Sequence, residues 1–142
     1  MRSYYDDRVV ALSARLVTPF IQLFALYVIF HGHYSPGGGF QGGVIFGAAI
    51  ILYAISNDLR RAFRRLDERA ALLASAVGVL IYSGTGLLCL LLGGNFLDYN
   101  VLASNVITGQ HIGIVVIELG VGITVSSVML LIFFTFTRRG KE

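Results

Sequence analysis

Two side chains that can carry protons stand seven residues apart in an apolar part of the chain. They are His111 and Glu118, two turns apart on one face if this part is helical. A carboxyl group inside a membrane is costly and normally faces a cavity or a partner. Histidine exchanges protons near neutral pH. The pair predicts either a protonatable site on an ion path, or a protonated glutamic acid that locks helices together beside an interfacial, hydrogen-bonding histidine.

Two further polar side chains in apolar surroundings complete the set of ion-path candidates. Arg15 shares a predicted helix face with Thr18 and Gln22, beside a bend expected at Pro19. Its guanidinium group either extends back to the aqueous surface or faces a wet cavity or a partner's carboxylate. Gln41 is the other candidate, and it serves equally well as a hydrogen bond between helices.

The histidines His31 and His33 give only a weak metal signal. Neither cysteine nor carboxylate lies near them in the sequence, whereas metal sites combine such ligands. The single cysteine, Cys89, allows no disulfide framework. We therefore predict no metal and no cofactor.

Four long apolar runs hold these side chains. The chain has 142 residues, of which 56% are hydrophobic and 13% charged, whereas soluble domains carry about a quarter charged residues. About 20 apolar residues suffice to cross a bilayer. We therefore predict an all-α integral membrane protein, a single domain over residues 1–142 with four transmembrane helices at about 9–30, 36–56, 70–92 and 110–136.

The basic residues predict the orientation of these spans. All 11 precede or begin the first span, lie between the second and third, or follow the fourth: Arg2, Arg8, Arg15, Arg60, Arg61, Arg64, Arg65, Arg69, Arg138, Arg139 and Lys141. Because basic residues remain on the cytoplasmic side, we predict that both termini are cytoplasmic. The positive charge then reflects topology in a lipid bilayer, and we predict no nucleic-acid partner.

The second span opens with many glycines, in the stretch HGHYSPGGGFQGGVIFG at residues 31–47. Pro36 is suited to the first helical position, and Gly39, Gly43 and Gly47 then fall four apart on one face. Glycines at this spacing let helix backbones approach closely in lipid. We predict that Pro36 and these glycines pack against a helix from another subunit or another copy of the chain. An unwound backbone at 37–39 that lines an ion path is the alternative.

The segment FHGHYSPGGGFQGGVIFGAAIIL resembles the MnhB/MrpB family, whose members are small membrane subunits of the Mrp-type multisubunit cation/proton antiporters. Gly32-His33 and the run Ser35–Gly43 carry the resemblance, and GVGI after Glu118-Leu119-Gly120 agrees with it. The likeness extends over essentially the whole chain. It implies a subunit without cofactor or catalytic residues, in the plasma membrane of a bacterium. It also implies a complex that exchanges Na+ for H+, in which this chain packs against other subunits and borders the cation path.

Two other functions fit the residues. One is a self-contained homodimeric exporter, similar to the small multidrug-resistance proteins, which also have four helices and one membrane carboxylate. Their carboxylate lies in the first helix, however, whereas Glu118 lies in the last predicted span. The other is a purely structural assembly subunit without ion contact.

Overall fold

Four long α-helices and one short 3₁₀-helix make up the computed structural model, which describes residues 4–32, 37–57 and 67–139. The α-helices are α1 (Tyr4–Phe30), α2 (Gly39–Asn57), α3 (Glu68–Leu91) and α4 (Val106–Arg139), and the 3₁₀-helix η1 (Tyr99–Leu102) lies between α3 and α4. Each α-helix is long and apolar enough to cross a membrane. The predicted all-α fold with four spans is therefore confirmed.

Several helix boundaries differ from the predicted ones. α2 begins at Gly39, because Gly37 and Gly38 are not helical, and the predicted start at Pro36 lies outside the described residues. α4 begins at Val106 rather than at about residue 110. The reason is a side-chain cap, since the Asn105 Oδ1 atom accepts a hydrogen bond from the Ile107 backbone N–H at 3.0 Å.

The end of α3 is set by a glycine in the left-handed region. Gly93 has a φ of 87°, a conformation that costs glycine little. Its N–H donates to the Leu90 carbonyl oxygen at 3.1 Å, and the Gly94 N–H donates to the Cys89 carbonyl oxygen at 3.0 Å. This double closure ends the helix and turns the chain back, so that η1 lies beside α4.

The four helices form a row in the order α1, α2, α4, α3. α2 packs against both α1 and α4, and α3 packs against α4, which also touches the edge of α1. Among the described residues, α3 contacts neither α1 nor α2. A row leaves both of its faces open, and many large apolar side chains are accordingly exposed, Leu91 being 84% exposed.

Small side chains dominate the few buried positions. Ala25 and Cys89 are completely buried, and Phe134 is the one large apolar side chain buried to the same degree among the described residues. In a membrane the contact between helices depends on close backbone approach and van der Waals packing. The chain is therefore held together along narrow lines of small residues rather than around a wide apolar core.

Candidate ion-path site

The glycine stripe of α2, which consists of Gly39, Gly43 and Gly47, is filled by α4 of the same chain. A Cβ atom added at Gly43 would lie 2.8 Å from the Gly122 carbonyl oxygen. One added at Gly47 would lie 3.3 Å from the Cα atom of Ser126. The contacts advance by four residues on both helices, so α2 and α4 run parallel with their backbones nearly touching.

The prediction that a helix of another subunit fills the glycine stripe is therefore wrong. α4 carries its own matching series, in which Gly122 and Ser126 follow Glu118 at steps of four. Two such stripes in one chain are complementary, because small residues on both helices allow the shortest distance between their axes. The α4 series was present in the sequence and is the signal that sequence reasoning missed.

The first turn of this contact places the Glu118 carboxyl group against the connection between α1 and α2. A Cβ atom at Gly32 would lie 2.6 Å from the Glu118 Oε2 atom, and one at Gly38 would lie 3.4 Å from Oε1. A Cβ atom at Gly39 would lie 2.9 Å from the Glu118 Cα atom. The Oε2 atom is buried. Three positions without side chains thus leave room for one carboxyl group.

Glu118 lies well inside α4 and not at a helix end. It follows the first residue of α4, Val106, by 12 positions, or about 18 Å at 1.5 Å per residue. The pair formed by α3 and α4 therefore extends about 18 Å beyond the connection between α1 and α2. The carboxyl group lies at the step between the shorter helix pair and the longer one.

His31 stands directly beside this site in the chain, since it precedes Gly32. Its ring stacks on the Tyr27 ring with centroids 4.2 Å apart, and its Nδ1 atom lies 3.1 Å from the Tyr27 carbonyl oxygen. The side chain is exposed. Sequence reasoning considered His31 only as a metal ligand, and its adjacency to Gly32 was the signal that would have placed it near Glu118.

The other ion-path candidates lie apart from the Glu118 carboxyl group. His111 is exposed on α4, seven residues before Glu118, which is about 10 Å along the axis. Gln41 is exposed on α2 and does not belong to its glycine stripe.

Arg15 lies at the other end of α2. Its Nε atom donates a hydrogen bond to the Asn57 Oδ1 atom, and Asn57 is 18 residues after Gly39, or about 27 Å. The Asn57 Nδ2 atom donates in turn to the Tyr53 carbonyl oxygen at 3.2 Å. Arg15 thus joins α1 to α2 within the chain, and this position separates it from Glu118.

The opposite face of α4 packs against α3 and η1. A Cβ atom at Gly78 would lie 2.6 Å from the Gly120 carbonyl oxygen, so α3 approaches α4 as closely as α2 does. Nearer the start of α4, the Tyr99 ring lies over Gly113. Burial raises the pKa of the Tyr99 phenol, and the neighbouring Tyr82 and Cys89 add to the rise.

No group of three His, Cys, Asp or Glu side chains that could hold a metal ion occurs within residues 4–32, 37–57 and 67–139. His33 and Pro36, which the sequence singled out, lie outside these ranges. What the described residues bring together is one carboxyl group, a wall of glycines and an exposed imidazole beside it. Such a site can take up and release a proton, or offer oxygen atoms to a small cation.

Comparison with known proteins gives one consistent result. Residues 9–131 match the family model described as "Domain related to MnhB subunit of Na+/H+ antiporter". Similar proteins named "Putative antiporter subunit mnhB2" occur in Staphylococcus aureus strains Newman, JH1 and Mu3. Each is 31% identical over 137 residues, which cover 93% of this chain and 95% of the relative. The chain, with Glu118 and the glycines around it inside the matched region, therefore belongs to the family of domains related to the MnhB subunit of Na+/H+ antiporters.

Proposed function

We propose that the chain is a membrane subunit of a multisubunit Na+/H+ antiporter, a transporter component rather than an enzyme, in the plasma membrane of a bacterium. Membership of the MnhB-related family and the names of the relatives support this function. The four apolar helices support a multi-pass membrane protein. Na+ and H+ are then the transported ions.

The open row of helices supports partner subunits. α3 contacts only α4 and η1 among the described elements, and the outward surfaces of the row are rich in exposed apolar side chains. Because the glycine stripe of α2 is already filled by α4, the partners pack on these outer surfaces. Subunits of the same antiporter are the proposed partners, with lipid covering the remainder.

The basic residues support an orientation with both termini in the cytoplasm. In that orientation the connection between α1 and α2 and the connection that contains η1 face the outer side. The step at Glu118 is then approached from outside, along the upper parts of α3 and α4. Protons and cations from the outer solution have the shortest route to the carboxyl group by this path.

Within the complex, Glu118 borders the cation path. The observation that carries this proposal is the placement of its carboxyl group in a wall made by Gly32, Gly38 and Gly39, deep along an apolar helix. Ionisable side chains at such positions mark ion pathways and proton relays. A carboxyl group there can hold a proton in one step of a cycle and face Na+ in another.

The requirement for partners is tested by expressing the chain alone and together with the other subunits, and by measuring Na+-driven proton movement in inverted vesicles. We expect no antiport from the chain alone and full antiport from the complete complex. We also expect a complex that lacks only this chain to be inactive. Antiport by the chain alone would instead establish the self-contained exporter.

A further inference from the structure

We propose that His31 is the proton-relay residue of this site, which passes protons between the outer solution and the Glu118 carboxyl group. The inference rests on the proposed function of Glu118 and adds a second residue to it. It also replaces His111, the histidine that the sequence pairs with Glu118. Three properties of the His31 ring support the assignment: its distance from the carboxyl group, its tautomer and its exposure.

The distance follows from the contact at Gly32. The Cβ position of Gly32 lies 2.6 Å from the Glu118 Oε2 atom. A carbon–carbon bond adds about 1.5 Å, and neighbouring Cα atoms are about 3.8 Å apart. The Cα atom of His31 therefore lies within about 8 Å of the carboxyl oxygen, a distance that an imidazole side chain and one water molecule can span.

The hydrogen bond at Nδ1 determines which ring nitrogen exchanges protons. A backbone carbonyl oxygen can only accept a hydrogen bond, and the Tyr27 carbonyl oxygen lies 3.1 Å from His31 Nδ1. Nδ1 therefore donates and carries the hydrogen in the neutral ring. A further proton binds at Nε2, so this atom is the one that takes up and releases the transported proton.

The surroundings hold His31 in place and leave it reachable. The ring stacks on Tyr27, and the side chain is exposed. The titratable groups that face this region are Tyr27 from α1 and Glu118 from α4, while α2 and the residue before it contribute Gly39 and Gly38. His33 and Tyr34 follow in the chain and lie outside the described residues, so the test includes His33.

His111 is less well placed for the same task. It lies on the same helix as Glu118, about 10 Å away along the axis. No helix packing determines that spacing, because both residues belong to one rigid α-helix. His31, in contrast, belongs to the chain segment that touches the carboxyl group. The geometry therefore assigns the relay to His31.

The matched variant is His31→Asn, because the asparagine amide retains a donor near the Nδ1 position and removes Nε2. We expect this variant to assemble normally and to lose antiport by at least about tenfold, since positioned proton transfer contributes about 100-fold to 10,000-fold. Added imidazole, present on both sides of the membrane, should restore much of the loss. The restoring effect is measured as radioactive Na+ flux in proteoliposomes against the unsubstituted complex at the same imidazole concentration.

The controls separate a relay from a structural role. His111→Asn and His33→Asn should retain antiport and show no response to imidazole. Full antiport in the His31→Asn complex, or a loss that imidazole does not restore, overturns the relay. If Glu118→Gln retains antiport, the proposed function of Glu118 fails. If Glu118→Gln is inactive while His31→Asn is fully active, only the relay fails.

A second measurement uses the unsubstituted complex and needs no variant to fold. Diethyl pyrocarbonate modifies neutral imidazole nitrogens, and peptide mass spectrometry gives the modified fraction of each histidine. We expect antiport to fall in proportion to modification at His31 and not at His111. Retained antiport after complete modification of His31 overturns the proposal.

Discussion

The carboxyl group of Glu118, from the middle of α4, lies against Gly32, which belongs to the connection between α1 and α2. The two residues are 86 positions apart in the chain, and they meet because α2 and α4 pack in parallel along their small residues. The contact depends on the missing side chain at Gly32. The site and the packing of the chain are therefore one structure.

Gly32→Ala should impair transport more than Gly38→Ala. The new methyl group at Gly32 would lie 2.6 Å from the Glu118 Oε2 atom, whereas the one at Gly38 would lie 3.4 Å from Oε1. The first displaces the carboxyl group, and a displacement of about 1 Å can lower a rate about 100-fold. We expect assembled Gly32→Ala complex to lose at least about tenfold in Na+-driven proton movement. Equal activity of the two variants would show that the carboxyl position does not matter.

Gly43→Ala should destabilise the isolated chain, and not only its assembly. Its Cβ atom would lie 2.8 Å from the Gly122 carbonyl oxygen, and backbone atoms cannot move aside cheaply. We expect a loss of about 1–3 kcal/mol in free energy of unfolding, measured in detergent micelles. Gly84→Ala on α3 is the matched control, because its Cβ atom would meet nothing within 4 Å. A stable Gly43→Ala protein that fails only in assembly would restore a partner helix as the occupant of the stripe.

Arg15 and Asn57 should be coupled in stability. Arg15→Ala and Asn57→Ala each remove the hydrogen bond between α1 and α2, so the double variant should be no less stable than the weaker single one. We expect each change to lower the apparent melting temperature by about 2–4 °C, with little effect on antiport per assembled complex. Additive losses in the double variant would show that the two residues act independently.

Alkaline pH should loosen the contact between Tyr99 and α4. The pKa of Tyr99 is raised above its ordinary value by burial, so the folded protein holds the phenol proton more tightly than the unfolded chain does. The resulting stability is complete below about pH 10, the pKa of a free phenol, and is lost as pH rises through the higher folded value. Tyr99→Phe retains the ring on Gly113 and removes the titration.

The melting temperature should accordingly fall more steeply above about pH 10 in the unsubstituted protein than in Tyr99→Phe. The comparison is made by circular dichroism at closely spaced pH values, with tyrosine ionisation followed by absorbance. Parallel curves for the two proteins would show that ionisation of Tyr99 does not affect folding.

The four spans could be predicted from the sequence because apolar length alone determines them. The partner of the glycine stripe could not be predicted from Gly39, Gly43 and Gly47, since small residues mark a place of close approach without identifying the helix that approaches. The matching series on α4 became meaningful only when the parallel contact was visible.

Glu118 could be predicted as a candidate because a lone carboxyl group in an apolar helix is costly. Its neighbours could not be predicted, because they depend on the vertical offset between two helix pairs. That offset is set by side-chain packing at Gly42 and Ile29 as well as at α4, and no helix length reveals it. His31 was overlooked for the same reason, since its position follows from where Gly32 meets α4.

The most direct test is Na+-driven proton movement in vesicles that contain fully assembled Glu118→Gln complex, with Glu118→Asp as the control that retains an acid. The amide has nearly the shape of the carboxyl group but cannot exchange a proton. We expect antiport to fall below about one hundredth in Glu118→Gln and to persist in part in Glu118→Asp, with native gels showing equal assembly. Full antiport in assembled Glu118→Gln complex would contradict the proposed role and leave Glu118 as a packing residue.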